Sequence, residues 1–310
     1  MVYDYIVIIL NYNSSDLLEN AIESLRKNAK GTYKICIVDN NSPKIGEKEK
    51  LLGFKSNDVE VLLLDENAGY GAGNNKAVVY MNSKYETKYY VIMNPDIELQ
   101  KKGTIEGIIE NCEKNSAVGG QPLVWNYYYG SNPNMQINIG KAVGYSDLCI
   151  QSNLVLRMIF KRRFNDLVFI NDMPYKKQIE YYVPSGAFFI LRKDVYDEIL
   201  GFDDDTFLYG EETIIGFKLK QRGYHLLFCP EYCVKHLQGA TTGYDRYSWD
   251  KKRLQYLKES RDIYMKKYLK CSQIQVLILD LLLDADSILR RFYVIVNRRR
   301  IRKQNDKTSS

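Results

Sequence analysis

Residues 5–13 read Tyr5-Ile6-Val7-Ile8-Ile9-Leu10-Asn11-Tyr12-Asn13, an apolar run that turns polar at Asn11. A run with no polar face predicts a strand buried on both sides, as in a parallel sheet covered by helices. A helical pattern follows over residues 17–28, with Ser15 or Asp16 as its N-cap. The same rhythm recurs at 33–38, 59–64 and 89–93, separated by helix-compatible segments that start near Glu47 and Asn74. Strand and helix in alternation predict a doubly wound, Rossmann-like α/β fold with a mostly parallel sheet.

Ligands of such sheets bind beyond the carboxyl ends of the strands. Here those positions are polar: Asn11-Tyr12-Asn13, then Asp39-Asn40-Asn41-Ser42, then Asp65-Glu66-Asn67 with Gly69, Gly71 and Gly73, then Asn94-Pro95-Asp96. Asp39 is placed to accept from a base N–H, and Asn11 and Asn13 to bond a ribose or base edge. The alternative is ordinary Asx-turn chemistry. The glycines open a helix whose N–H groups can approach a phosphate or sugar hydroxyl. They do not make the dinucleotide fingerprint, because Asn74 stands where its third glycine belongs. Pro95 ends the fourth strand and holds the Asp96 carboxylate at the sheet edge, where Mg²⁺ or Mn²⁺ would share it with a substrate phosphate.

Further along, residues 125–182 show weak periodicity, as acceptor-facing loops often do. Regularity returns with an apolar stretch at 181–191, a short helix to Leu200, the acidic stretch 203–212, a helix to Arg222 and a strand at 225–229. Glu211 and Glu212 suit a helix start, where the dipole favours carboxylates. With its pKa raised by its like-charged neighbour, one of them would serve as a general base toward an acceptor hydroxyl. His236 is a candidate to complete a cation site with Asp96; a zinc site with Cys229 and Cys233 is a weaker reading that lacks a fourth ligand.

The 310 residues, 45% apolar, suffice for one large α/β domain and an appendage. Six scattered cysteines and no secretory signal before the first strand suggest a reducing cytoplasm. Residues 286–310 hold eight Lys/Arg against two Asp, a net +6 that equals the charge of the whole chain and leaves residues 1–285 neutral. A neutral body argues against a nucleic-acid binder. The run 274–284 is too short and interrupted to span a bilayer, which needs about 20 apolar residues. With the cluster Arg298-Arg299-Arg300-Ile301-Arg302-Lys303, it suits either a membrane surface or a helix packed on the core or a partner.

Taken in order, Asn-Tyr-Asn, Val-Asp-Asn-Asn-Ser, Asn-x-Gly-Tyr-Gly-x-Gly-Asn-Asn, Met-Asn-Pro-Asp, Gly-Glu-Glu and His-x-x-Gly resemble family 2 glycosyltransferases of the GT-A fold, with a rhamnosyltransferase-like flavour. The resemblance covers residues 5–239. It implies a nucleotide-diphosphate sugar donor, dTDP- or UDP-linked, held by Asn11, Asn13, Asp39, Asn41, Asn67, Gly69, Asn74, Asn94 and Asp96. It implies Mg²⁺ or Mn²⁺ on Asp96 and His236. Glu212 matches the base position, with Glu211 as the alternative, since the family's Gly-Glu-Asp reads Gly-Glu-Glu here. Asn94 replaces the first acid of an Asp-x-Asp. The expected reaction is inverting transfer of a sugar, rhamnose first, to a saccharide or lipid-linked oligosaccharide of a bacterial cell surface. Galactose, glucose or N-acetylhexosamine from a UDP donor is the alternative. A nucleotidyltransferase is the enzymatic rival, though residues 11–16 lack its glycine-rich basic loop. The implied organisation is a GT-A domain over 1–245, divided at 100 into donor and acceptor halves, then C-terminal helices over 246–310. The protein is expected at the inner face of the cell membrane, with a homodimer as the compatible oligomer.

Overall fold

In the computed structural model, the opening run is β1 (Val2–Asn11), and its alternate residues serve two cores. The described residues are 1–126, 134–135, 139–169, 177–237 and 251–308, the side chains of 134–135 and 293–308 excepted. After β1 come α1 (Ser15–Asn28), β2 (Tyr33–Asp39), α2 (Glu47–Leu52), β3 (Val59–Leu63), α3 (Tyr70–Asn82), β4 (Glu86–Met93), β5 (Ile97–Leu99), α4 (Thr104–Lys114), β6 (Gly119–Asn126) and β7 (Asn134–Met135). The rest of the chain adds α5 (Tyr145–Ser152), α6 (Leu154–Ile159), α7 (Lys161–Leu167), β8 (Ile179–Tyr181), β9 (Phe188–Arg192), α8 (Lys193–Glu198), α9 (Glu211–Gln221), β10 (Leu226–His236), α10 (Lys251–Ile263), a π-helical turn (Tyr264–Tyr268) and α11 (Gln273–Thr308).

Tyr5, Val7 and Ile9 pack with Leu18, Ile22 and Leu25 of α1 and Ile105 and Ile108 of α4. Ile6 and Ile8 join the opposite core, with Val78 and Met81 of α3, Val195 of α8, and Ile215 and Leu219 of α9. Each such side chain contributes about 1.5–3 kcal/mol by leaving water, which is why β1 has no polar face.

The sheet runs β3-β2-β1-β4-β9-β6-β10-β5. Its first four strands are parallel, with Val7 opposite Ile35 on one side and Val91 on the other. Strand β9 then joins antiparallel to β4, and β6 antiparallel to β9. The sheet is thus parallel through the predicted half and mixed beyond it.

Several boundaries differ from expectation. The stretch 181–191 is two strands, β8 on β10 and β9 on β4, separated by Pro184-Ser185-Gly186. The strand expected to end at Cys229 continues as β10 to His236, because a bulge between Cys229 and Cys233 accommodates Pro230. Helix α3 starts at Tyr70, a turn earlier than Asn74, and α1 is preceded by Ser14 as N-cap. In the weakly periodic middle, α5, α6 and α7 are helical; Tyr127, Tyr128 and Tyr129 lie outside the described residues, as do Gly239 and the boundary at 245.

The C-terminal helices share a third core with α5 and α9, in which Tyr264, Met265, Val276, Leu279 and Leu283 meet Leu148 and Ile214. Among the described residues no helix is long and apolar enough to cross a membrane.

Candidate active site

The carboxyl ends of β1 and β2 meet in a buried polar network. The Asn11 amide nitrogen reaches Asp39 Oδ1 (3.1 Å), Ser42 Oγ (3.3 Å) and Glu47 Oε1 (3.2 Å). Its oxygen accepts the Ser14 hydroxyl at 2.9 Å. The Ser42 hydroxyl donates to Asp39 Oδ1 (2.5 Å), and Ser42 Oγ in turn accepts the Asn13 N–H (2.8 Å). Glu47 accepts the Ser15 N–H (2.7 Å) and hydroxyl (2.8 Å). Burial pushes the Glu47 carboxyl up, but the Ser15 and Asn11 donors outweigh it and hold its pKa below the ordinary value. The side chain of Asn11 is therefore engaged internally and orients Asp39. Asn13 and Asn41 both adopt the left-handed backbone (φ 57° and 56°), which Asn tolerates and a turn at a strand end requires.

Asn40, to which the sequence assigned no separate role, ties this edge to the next loop. Its amide donates to Asn67 Oδ1 (2.9 Å) and the Gly69 carbonyl (3.0 Å), and its oxygen accepts the Ala68 N–H (3.0 Å). The glycines serve close packing first. At Gly69 (φ 85°) a Cβ would fall 2.5 Å from the Phe207 carbonyl oxygen, and at Gly73 one would fall 2.7 Å from Leu10. The N–H groups of Gly69 and Tyr70 are already engaged, by Asn67 Oδ1 and the Phe207 carbonyl. Asn74 donates to the Tyr70 carbonyl (2.9 Å), while its buried Oδ1 has no partner in the protein. An unpaired buried acceptor is costly, and it marks Asn74 as a group awaiting a donor.

Beyond β4, Asn94-Pro95-Asp96 turns directly into β5, which pairs antiparallel with β10 so that Ile97 lies opposite His236. This pairing explains how two residues 140 apart in sequence meet: Asp96 Oδ1 is 3.3 Å from His236 Nε2, with both side chains buried. His236 Nδ1 lies 2.6 Å from Asn126 Oδ1, across the parallel β6 pairing. With Nδ1–H donated to Asn126, the Nε2 lone pair faces a carboxylate oxygen. Two electron-rich atoms so placed need a proton or a cation between them. Ligands at adjacent corners of a small octahedral cation stand about 3 Å apart, so this pair fits Mg²⁺ or Mn²⁺ completed by substrate oxygens. Among the described residues no group of three His, Cys, Asp or Glu side chains converges as a metal site. The zinc reading fails for a physical reason: on either side of the bulge, Cys229 is buried in one core while Cys233 packs against the other.

The acidic helix start faces the same edge. Gly210 (φ 95°) turns the chain into α9, and Glu211 is buried, with Oε1 unpaired. Burial, then repulsion from Glu212, pushes the Glu211 pKa up to about 8. Burial also raises Glu212, opposed by the Gly186 N–H. At Gly186 a Cβ would lie 2.1 Å from Glu212 Oε1, so only glycine leaves that carboxylate its place. Tyr70 donates its hydroxyl to the Gly186 carbonyl (2.5 Å), and burial, then Glu212 and Glu211, push its pKa well up. The Asn94 N–H donates to the Ala187 carbonyl (2.9 Å), so the loop that seats Glu212 is joined to the turn that carries Asp96. Asn126, Gly186, Tyr70 and Asn40 carried no assigned role in the sequence because each meets partners more than 25 residues away.

Asp203, Asp204 and Asp205 serve structure. Asp203 accepts the Tyr268 hydroxyl and Lys267 Nζ, and Asp205 accepts Lys267 Nζ at 2.8 Å. Ser260 donates to the Leu208 carbonyl (3.2 Å) and Tyr256 stacks on Phe207 (4.7 Å). The C-terminal helices thereby clamp the loop leading into Glu211.

The fold is similar to that of GalNAc-T7, solved with UDP, GalNAc and Mn²⁺, with a TM-score of 0.58 and 17% identity over 88% of this chain and 51% of that one. The fold is GT-A. Residues 6–200 match the family model described as Glycosyl transferase family 2, and the chain belongs to that family. It is 21% identical over 242 residues to the O-antigen chain rhamnosyltransferase RfbN of Salmonella typhimurium, covering 76% of this chain and 67% of RfbN. It is 28% identical over 102 residues to the low-salt glycan biosynthesis hexosyltransferase Agl10 of Haloferax volcanii, covering 33% of this chain and 31% of Agl10. The chain thus spans about a third of one curated relative and two thirds of the other.

Proposed function

We propose that this protein transfers a sugar from a nucleotide-diphosphate donor, with inversion, to a cell-surface saccharide or lipid-linked oligosaccharide, rhamnose from dTDP-rhamnose being the first donor to test. The observation that carries the reading is the pairing, at one sheet edge, of Asp96–His236 with the raised carboxylates Glu211 and Glu212. Similarity to RfbN over most of the chain supports the rhamnosyl choice.

Asp39, oriented by Asn11 and Ser42, receives a base N–H of the donor, with Asn13, Asn41 and Asn67 bordering the nucleoside. Asn74 offers its unpaired Oδ1 to a sugar hydroxyl near Gly69, and Asn94 lies beside Asp96. Asp96 and His236 hold Mg²⁺ or Mn²⁺, which supplies positive charge against the charge growing on the departing diphosphate. Glu212 takes the proton of the acceptor hydroxyl as that oxygen attacks the anomeric carbon, its pKa held above the ordinary value by burial, with Glu211 beside it as the alternative base. The basic tail brings the enzyme to the cytoplasmic face of a membrane.

The test is turnover of purified protein against dTDP-rhamnose and UDP-linked galactose, glucose and N-acetylhexosamines, with and without Mg²⁺ or Mn²⁺. Transfer from one of them, lost about 100-fold or more in Asp96→Ala, is expected. Unchanged turnover in that variant, or a product of retained anomeric configuration, overturns the mechanism.

A further inference from the structure

Helix α11 is amphipathic in an unusual sense, since its buried and exposed faces are both apolar. At 100° per residue, Val276, Leu279 and Leu283 fall on the side that packs into the third core. On the opposite side, within an arc of about 120°, stand Ile274 (70% exposed), Leu277 (61%), Ile278, Leu281 (69%), Ile288 (59%), Leu289 and Phe292 (67%). No Asp, Glu, Lys or Arg lies within that arc between 274 and 292.

A second exposed set sits alongside. Helix α6 and its C-cap present Leu154, Val155, Met158 (62%), Ile159 (66%) and Phe160 to solvent. The two helices are fastened together: the Leu154 N–H donates to Asp286 Oδ1 (2.7 Å) and the Asn153 amide to the Leu282 carbonyl (3.1 Å). Asp286 is buried and also holds Arg290 at 2.5 Å, so the junction is a built contact. The result is one apolar face contributed by segments more than a hundred residues apart, larger than the scattered exposed side chains of an ordinary surface.

Charge says what covers it. The border carries exposed Lys161 and Arg162 on α7 and Arg291 on α11, and α11 continues into Arg298-Arg299-Arg300. The exposed acid nearest the stripe, Asp284, is paired with Lys258 at 2.7 Å. A copy of the same basic-rimmed face would be repelled, whereas an anionic lipid surface matches both the apolar centre and the cationic rim.

We infer that α6 and the first five turns of α11 form a composite docking face for an anionic lipid bilayer, so that the tail arginines add to this contact and do not make it alone. The inference deepens the membrane placement proposed above by naming the segments that enter the lipid.

The experiment is flotation of the full-length protein with phosphatidylcholine vesicles, pure or containing phosphatidylglycerol, without donor or acceptor. Expected is binding to the anionic vesicles only, weakened about thirtyfold in Met158→Glu/Ile159→Glu and in Leu281→Glu/Ile288→Glu, with unfolding temperatures unchanged because all four positions are exposed. Undiminished binding in the α6 variant, with loss only on removing residues 298–310, overturns the composite face. So does a wild-type dimer that either double variant dissociates while lipid binding is absent. Because no sugar enters this assay, its failure leaves the transfer reading standing, and a failed transfer assay leaves this one untouched.

Discussion

Replacing Glu211 by Gln removes a charge from a place that cannot solvate it. The wild-type carboxyl, with an ordinary pKa of 4.5 and a folded-state pKa of about 8, binds its proton more tightly folded than unfolded. Its stabilising contribution is therefore complete below about pH 4.5, declines across the window up to about 8, and is gone above it. At 1.36 kcal/mol per unit, the 3.5 units between those values correspond to at most about 5 kcal/mol. Glu212 shares the proton with Glu211, which brings the expected figure for Glu211→Gln to about 2–4 kcal/mol of relative stabilisation at pH 8.5 over pH 5. Urea unfolding of both proteins from pH 5 to 8.5 measures it, read as the difference in slope, so that any fixed cost of seating the amide cancels. Parallel pH dependences for the two proteins would refute the assignment of a buried, proton-holding Glu211.

Gly186→Ala pushes a methyl group into the place of Glu212 Oε1; because a flexible carboxylate tip yields, stability should change by under about 1 kcal/mol while turnover falls about 100-fold. Thermal unfolding beside kcat separates the two effects. Asn11→Ala strips buried donors from Asp39 and Glu47 and should cost about 2–4 kcal/mol, the cost shrinking as pH falls below the ordinary 4.5 and the contribution of a Glu47 pKa held below normal is progressively lost. Tyr268→Phe with Lys267→Ala releases Asp203, and limited proteolysis should then cut near residues 203–210 at lower protease concentrations than in wild type.

Much of the donor half was legible because its logic is local. A strand buried on both faces must be apolar throughout, and the residues after it must turn, so β1 to β4 and the loops beginning at Asn11, Asp39, Asn67 and Asn94 could be read in order. Partners that lie across the sheet could not. The Asn126–His236–Asp96 chain depends on β10 passing Pro230 through a bulge and meeting β5 antiparallel, and β5 lies more than 130 residues upstream of His236. The three glycines looked like a phosphate-approach signal, yet Gly69 and Gly73 answer to Phe207 and Leu10, contacts set by tertiary packing. The acidic run 203–205 could be seen as a stretch, but its partners Lys267 and Tyr268 lie more than sixty residues downstream. The exposed side of α6 was hidden within a stretch of weak periodicity, where apolar residues at 154, 155, 158 and 159 match no buried face.

On the roles proposed for α11 and Glu212, the clamp between the C-terminal helices and the loop at 203–210 makes location and chemistry two readings of one equilibrium. Order in α10 and the π-helical turn is coupled, through Tyr268, Lys267, Ser260 and Tyr256, to order in the segment that delivers Glu212. Reciprocity then requires that whatever steadies those helices also steadies the segment that carries Glu212, and that a ligand ordering that segment tightens the helices in return by the same free energy.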